Sequence, residues 1–173
     1  MVRFFRYGIF PNLRRGNVSV LAFALGFGFL AGSLLAVLES GFAFQLISDA
    51  AMTPVSYGAI LAVMALPVLF TAYAAFIQRP WMLILISCLK ATAFSYLSAC
   101  ILQLYGEGAW LLLAMLLFSD HLSLPLLCWI WIRYLRHGPR VVFRDMPAVI
   151  LLLSGIVFLD YRFISPYLAR LLS

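Results

Sequence analysis

Charge is what this chain has least of. Of its 173 residues only 10% are Asp, Glu, Lys or Arg, where soluble domains carry about a quarter. With 65% apolar residues and a mean hydropathy of +1.07, that scarcity excludes a soluble globular domain. Cysteine is scarce as well. Cys88, Cys100 and Cys128 all fall within apolar runs, without CxxC spacing or a histidine pair on the same turn, and read as small apolar fillers. No P-loop, HExxH, GxSxG or glycine-rich nucleotide turn occurs, which excludes a transport ATPase core and leaves no cofactor or metal site to expect. The formal charge of +6 does not point to nucleic acid, because the arginines are not clustered among aromatics on a soluble module. They sit at the edges of apolar runs, as in membrane proteins.

What is present is a series of apolar stretches. The fold class they predict is all-α: one polytopic membrane helical bundle over 1–173 with about five transmembrane helices, at 18–38, 55–77, 81–105, 109–134 and 147–164. Segment 1–16 mixes four arginines with four aromatics and reads as an interfacial helix on an anionic leaflet. A signal peptide is the rival, but the run 18–38 exceeds the usual apolar core of about 7 to 15 residues. Residues 39–54 carry Glu39 and Asp49 without a basic residue and read as a loop. Gln78-Arg79-Pro80 is too short for anything but a hairpin turn, which makes the second and third helices antiparallel neighbours. Pro67 and Pro125 are expected to kink their helices. The last apolar run, 147–159, is short, and crosses a bilayer only if 160–164 adds to it or the bilayer thins.

Arginine placement sets the orientation. An N-terminus inside and five crossings put Arg3, Arg6, Arg14, Arg15, Arg79, Arg133, Arg136, Arg140 and Arg144 on the cytoplasmic side, leaving Arg162 and Arg170 outside with the C-terminus. Residues 133–144 form the strongest basic loop in this reading.

Two features inside the runs carry information. In the first helix Ala24, Gly28, Gly32 and Ala36 recur at i+4, and in the third Ala91, Ser95 and Ala99 do the same. Small residues on one face let another helix approach closely. The second feature is the one lysine. Lys90 lies nine residues past Trp81, about 14 Å along the third helix, and Asp120 lies eleven residues past Ala109, about 16 Å along the fourth from the opposite side. In a slab roughly 30 Å thick the two meet near one level, so a Lys90–Asp120 ion pair with His121 beside it is expected at the midplane. Such a cluster either fixes helix register or relays protons or ions. A hydrolase built from Ser95, Ser98, Ser119 or Ser123 with His121 is the least economical reading, because serines in membrane helices ordinarily bond to their own helix or a neighbour. No catalytic residue is assigned, and the chain is not read as an enzyme.

The stretch 66–130 resembles the stage II sporulation protein M family, small polytopic membrane proteins of spore-forming bacteria. The resemblance rests on Leu89-Lys90-Ala91 with Ser95 and Ala99 following, the turn 105–110 with Gly106, Gly108 and Trp110, and Ser119-Asp120-His121 ahead of Pro125. Ile164-Ser165-Pro166-Tyr167-Leu168 looks like that family's C-terminal signature. The chain departs from the pattern where alanine or serine replaces glycine in the third helix, and where Asp-His stands for Gln-Asn. The resemblance implies a non-enzymatic scaffold of the bacterial cytoplasmic membrane, positioning cell-wall remodelling enzymes through an extracytoplasmic protein partner of the wall-hydrolase class. The alternative reading is a small transporter or permease subunit that uses Lys90, Asp120 and His121.

Overall fold

The structure, a computed structural model, describes residues 13–39 and 57–167. Among these 95% are helical and none is in a strand, so the fold class is the all-α bundle expected. Six α-helices follow one another among the described residues: α1 Leu13–Leu38, α2 Tyr57–Phe76, α3 Trp81–Tyr105, α4 Trp110–Leu116, α5 Phe118–His137 and α6 Pro139–Leu159. A 3₁₀ turn at Gly106–Ala109 joins α3 to α4, and a π-helical turn at Asp160–Ile164 prolongs α6. Val18–Leu38, Trp81–Tyr105 and Pro139–Tyr167 are long and apolar enough to cross a membrane, and Ile60–Phe76 is a shorter apolar helix. Most of segment 1–16, the loop expected over 39–54 and the tail past 167 lie outside the described residues.

Local chemistry sets the helix ends. Gln78 turns the chain at φ 55° and lets the Arg79 N–H reach the Ala74 carbonyl at 3.0 Å, closing the α2–α3 hairpin. Gly106 ends α3 at φ 69°, with its N–H on the Leu102 carbonyl. Gly138, at φ 87°, donates its N–H to Tyr134 at 2.7 Å, and Pro139 takes the first position of α6, where its missing N–H costs nothing.

Contacts between named side chains fix the directions of the helices. Gly28 and Gly32 of α1 face Ala91 and Ser95 of α3, and Ala36 packs on Cys100, so α1 and α3 run parallel. Ser119 meets Asp160 and Arg133 meets Asp145, so α5 and α6 run antiparallel. Tyr57 stacks edge-on against Tyr161 at 5.6 Å, which makes α2 antiparallel to α6. The bundle therefore alternates in direction, and the start of α1, the α2–α3 turn and the α5–α6 turn share one end. α5 touches α1, α2, α3 and α6 and is the central helix. Its Leu127, Ile130 and Trp131 are at most 1% exposed and join Leu83, Val142 and Val149 in one core.

Outside, the surface is apolar. Phe23 and Leu30 are 74% exposed and Leu151 is 76% exposed. So broad an apolar surface needs a nonaqueous neighbour, and with three helices of membrane-crossing length it marks a membrane protein.

Three boundaries differ from those expected. The helix expected over 109–134 is broken at Leu117, whose φ −106° and ψ 23° leave the helical region. The carbonyl of Leu117 still accepts the His121 N–H at 2.8 Å, so the break is a kink between α4 and α5 and not a loop. The last helix begins at Pro139 and not at 147, because Pro147 is accommodated within it. The residues expected to form a basic loop are thus helical: Arg133, Arg136 and His137 end α5, Arg140 and Arg144 begin α6, and Gly138 alone makes the turn.

Candidate functional site

The polar cluster is built from three helices. Lys90, in the third turn of α3, donates from Nζ to Oδ1 of Asp120, in the first turn of α5. Their side chains are 12% and 15% exposed. Asp120 gains from its place, since the free N–H groups of a helix's first turn favour an anion. The kink at Leu117 creates that first turn. In an unbroken helix Asp120 would sit mid-helix without the benefit.

The structure brings a second carboxylate, Asp160, to the cluster. Ser119 is buried and donates its hydroxyl to Oδ2 of Asp160, at the start of the π turn after α6. Two carboxylates, from α5 and α6, therefore accompany one ammonium from α3. The signal for Asp160 was present in Gly138-Pro139: glycine then proline is a helix-entry pattern. A helix starting there carries Asp160 21 residues past Pro139, about 32 Å along, to the level of the α5 start.

His121 lies next to the pair but faces outward. Its Nδ1 is 2.8 Å from the Leu117 carbonyl, which can only accept, so Nδ1 donates there and Nε2 is the ring nitrogen left without that bond. The imidazole stands edge-on to Phe94 at 4.9 Å, and Phe94 stands edge-on to Phe29 of α1 at 5.8 Å. The four serines weighed with His121 are engaged elsewhere. Ser95 donates to the Phe29 carbonyl at 2.7 Å, Ser98 to Phe94 at 2.8 Å, Ser119 to Asp160, and Ser123 to the Asp120 carbonyl at 3.4 Å. Among the described residues no three His, Cys, Asp or Glu side chains converge on a metal position. Cys100 is buried, while Cys88 and Cys128 are half-buried.

The small-residue face is shared by α1 and α3. A Cβ at Gly28 would lie 2.5 Å from the Cys88 carbonyl oxygen and 2.9 Å from the Ala91 Cβ; one at Gly32 would meet the Thr92 carbonyl and lie 2.9 Å from the Tyr96 nitrogen. Backbone therefore touches backbone across this face. Ser33 and Ser95 face each other at 2.7 Å and close the same seam, and Ala99 packs beside Ala36. The seam leads up α3 from the level of Lys90, so the charge pair and this backbone contact share one helix.

The opposite end of α5 is basic. Arg133 pairs with Asp145 at 3.0 Å, its guanidinium 5.0 Å from the Trp129 ring, and Arg144 holds the other oxygen of Asp145 at 3.0 Å. Arg136, His137 and Arg140 are exposed around Gly138.

Comparison with protein-family models, with curated proteins and with solved structures finds no match.

Proposed function

We propose that this chain is a multi-pass scaffold of the bacterial cytoplasmic membrane without a catalytic task, its basic end facing the cytoplasm. The observation that carries this reading is the way polar groups join helices: Lys90 of α3 pairs with Asp120 of α5, and Ser119 of α5 bonds to Asp160 of α6. In hydrocarbon such links hold register and depth, since a broken partner leaves an uncompensated charge. The backbone contact of α1 with α3 adds rigidity to the same frame. On the far side, segments 39–54 and 161–173 take the role of docking an extracytoplasmic protein of the wall-hydrolase class, the partner implied by the resemblance to the stage II sporulation protein M family. Photo-crosslinking from these segments in cells is expected to trap one wall hydrolase. Trapping of lipid alone, in cells that express such hydrolases, rejects the partner.

A second reading is favoured by the charge count in the cluster. Two carboxylates against one ammonium, with an exposed imidazole beside them, suit a proton or cation path through a small transporter or permease subunit. The two readings separate on Lys90→Met with Asp120→Leu. The scaffold keeps its complex and its function, whereas a transporter loses flux.

A further inference from the structure

The α5 and α6 surfaces change character along their length in the same sense. On α5 the exposed positions Leu122, Pro125 and Trp129 lead at three- and four-residue steps to Arg133 and Arg136. On α6 the stripe runs the other way along the chain, from exposed Arg140, Phe143 and Arg144 to Pro147, Ile150 and Leu151. Because the two helices are antiparallel, both stripes pass from hydrocarbon to guanidinium toward Gly138. An aromatic ring stands at each change: Trp129 is 43% exposed and Phe143 49% exposed.

Charge at this end is unbalanced. Arg79, Arg133, Arg136, Arg140 and Arg144 gather there, and among the described residues the acidic side chain with them is Asp145. Asp145 is already held between Arg133 and Arg144. That pairing fixes Arg133 over Trp129 and leaves Arg136 and Arg140 exposed and free to bind. An acidic protein would match the charge but not the apolar continuation of both stripes. A molecule with an anionic head and acyl chains matches both.

We propose that the α5–α6 hairpin binds anionic phospholipid, the phosphodiester headgroup lying on Arg136 and Arg140 at the Gly138 turn and the acyl chains along Trp129, Phe143 and Ile150. The proposal rests on the chain being embedded in a membrane and not on a scaffold role. Planar guanidinium groups suit phosphate oxygens, and exposed arginines at a membrane surface each contribute about a fivefold preference for anionic lipid.

The test uses the full chain, purified in detergent and mixed with equal amounts of phosphatidylglycerol and phosphatidylcholine of matched chain length, with retained lipid read by native mass spectrometry. Phosphatidylglycerol is expected to be retained preferentially. The preference is expected to fall about twenty-fivefold in Arg136→Gln/Arg140→Gln and to persist in Arg162→Gln, which removes a guanidinium near the opposite end. Equal retention of the two lipids overturns the proposal, as does a preference unchanged in the double variant. If the double variant loses its helical circular dichroism, the wild-type chain decides: loss of the preference in 1 M salt supports the site, and its survival overturns it. Displacement of phosphatidylglycerol by micromolar poly-glutamate assigns the face to an acidic protein and overturns the lipid.

Discussion

The indole N–H of Trp131 donates to Oγ1 of Thr71 at 2.8 Å, and the same hydroxyl donates to the Pro67 carbonyl at 2.6 Å. One hydroxyl thus satisfies the largest fully buried side chain of α5 and braces α2 at its proline, where the regular ladder loses a donor. Thr71→Val keeps the shape and removes both bonds. It is expected to destabilise the bundle by about 1 to 3 kcal/mol, since the indole N–H is left buried and unpaired. Thermal unfolding in detergent checks this, and Thr71→Val should cost less in a Trp131→Phe background, which has no indole N–H to strand, than in the wild-type chain. If Thr71→Val unfolds at the wild-type temperature, the hydroxyl carries no such burden.

Lys90→Met alone is expected to cost about 3 to 5 kcal/mol, because it removes the partner of Asp120 in a largely buried position. Lys90→Met with Asp120→Leu should restore most of that stability. Unfolding curves of both variants decide it, and a double variant as unstable as the single one contradicts the pairing.

Gly28→Ala is expected to cost about 1 to 3 kcal/mol by forcing α1 away from the Cys88 carbonyl. Gly26→Ala, two residues earlier and with nothing within 4 Å of its Cβ, should be neutral or slightly stabilising. The pair tests the close approach of the two helices independently of the charges. Equal unfolding temperatures for the two variants would contradict it.

Gly138→Ala introduces a Cβ at φ 87°, where L-residues pay about 1 to 2 kcal/mol, although nothing lies within 4 Å. Gly155→Ala, also in open space but within a helix, should not lower stability. The difference between these two variants measures backbone conformation alone.

How much of this was legible in the sequence follows from what each feature depends on. Lys90 and Asp120 stood out because ionised side chains are rare in apolar runs, and the two are in contact. Gly28, Gly32, Ala91 and Ser95 stood out by their spacing, but spacing does not say which helices meet; their mutual packing is a property of the bundle. The kink at Leu117 had no local signal, since Leu113, Met115 and Leu117 continue an apolar helix and the proline nearby is Pro125. The kink reflects tertiary bonding of Ser119 and Asp120 to α6 and α3. The early start of α6 was written in Gly138-Pro139 but masked by the arginines on both sides, which read as a loop because charge is ordinarily a loop property. Asp160 followed the same misreading, since its depth depends on where its helix starts.

The π turn at Asp160–Ile164 lodges one residue more than an α-helical turn holds. Added to a regular α-helix, one residue would spin everything after it by about 100° around the axis. The wider turn takes that residue up locally, so Ser165, Pro166 and Tyr167 continue on the flank that α6 set, and removing one residue between Asp160 and Ile164 would let the turn close as an α-helix with the end of the helix still on that flank.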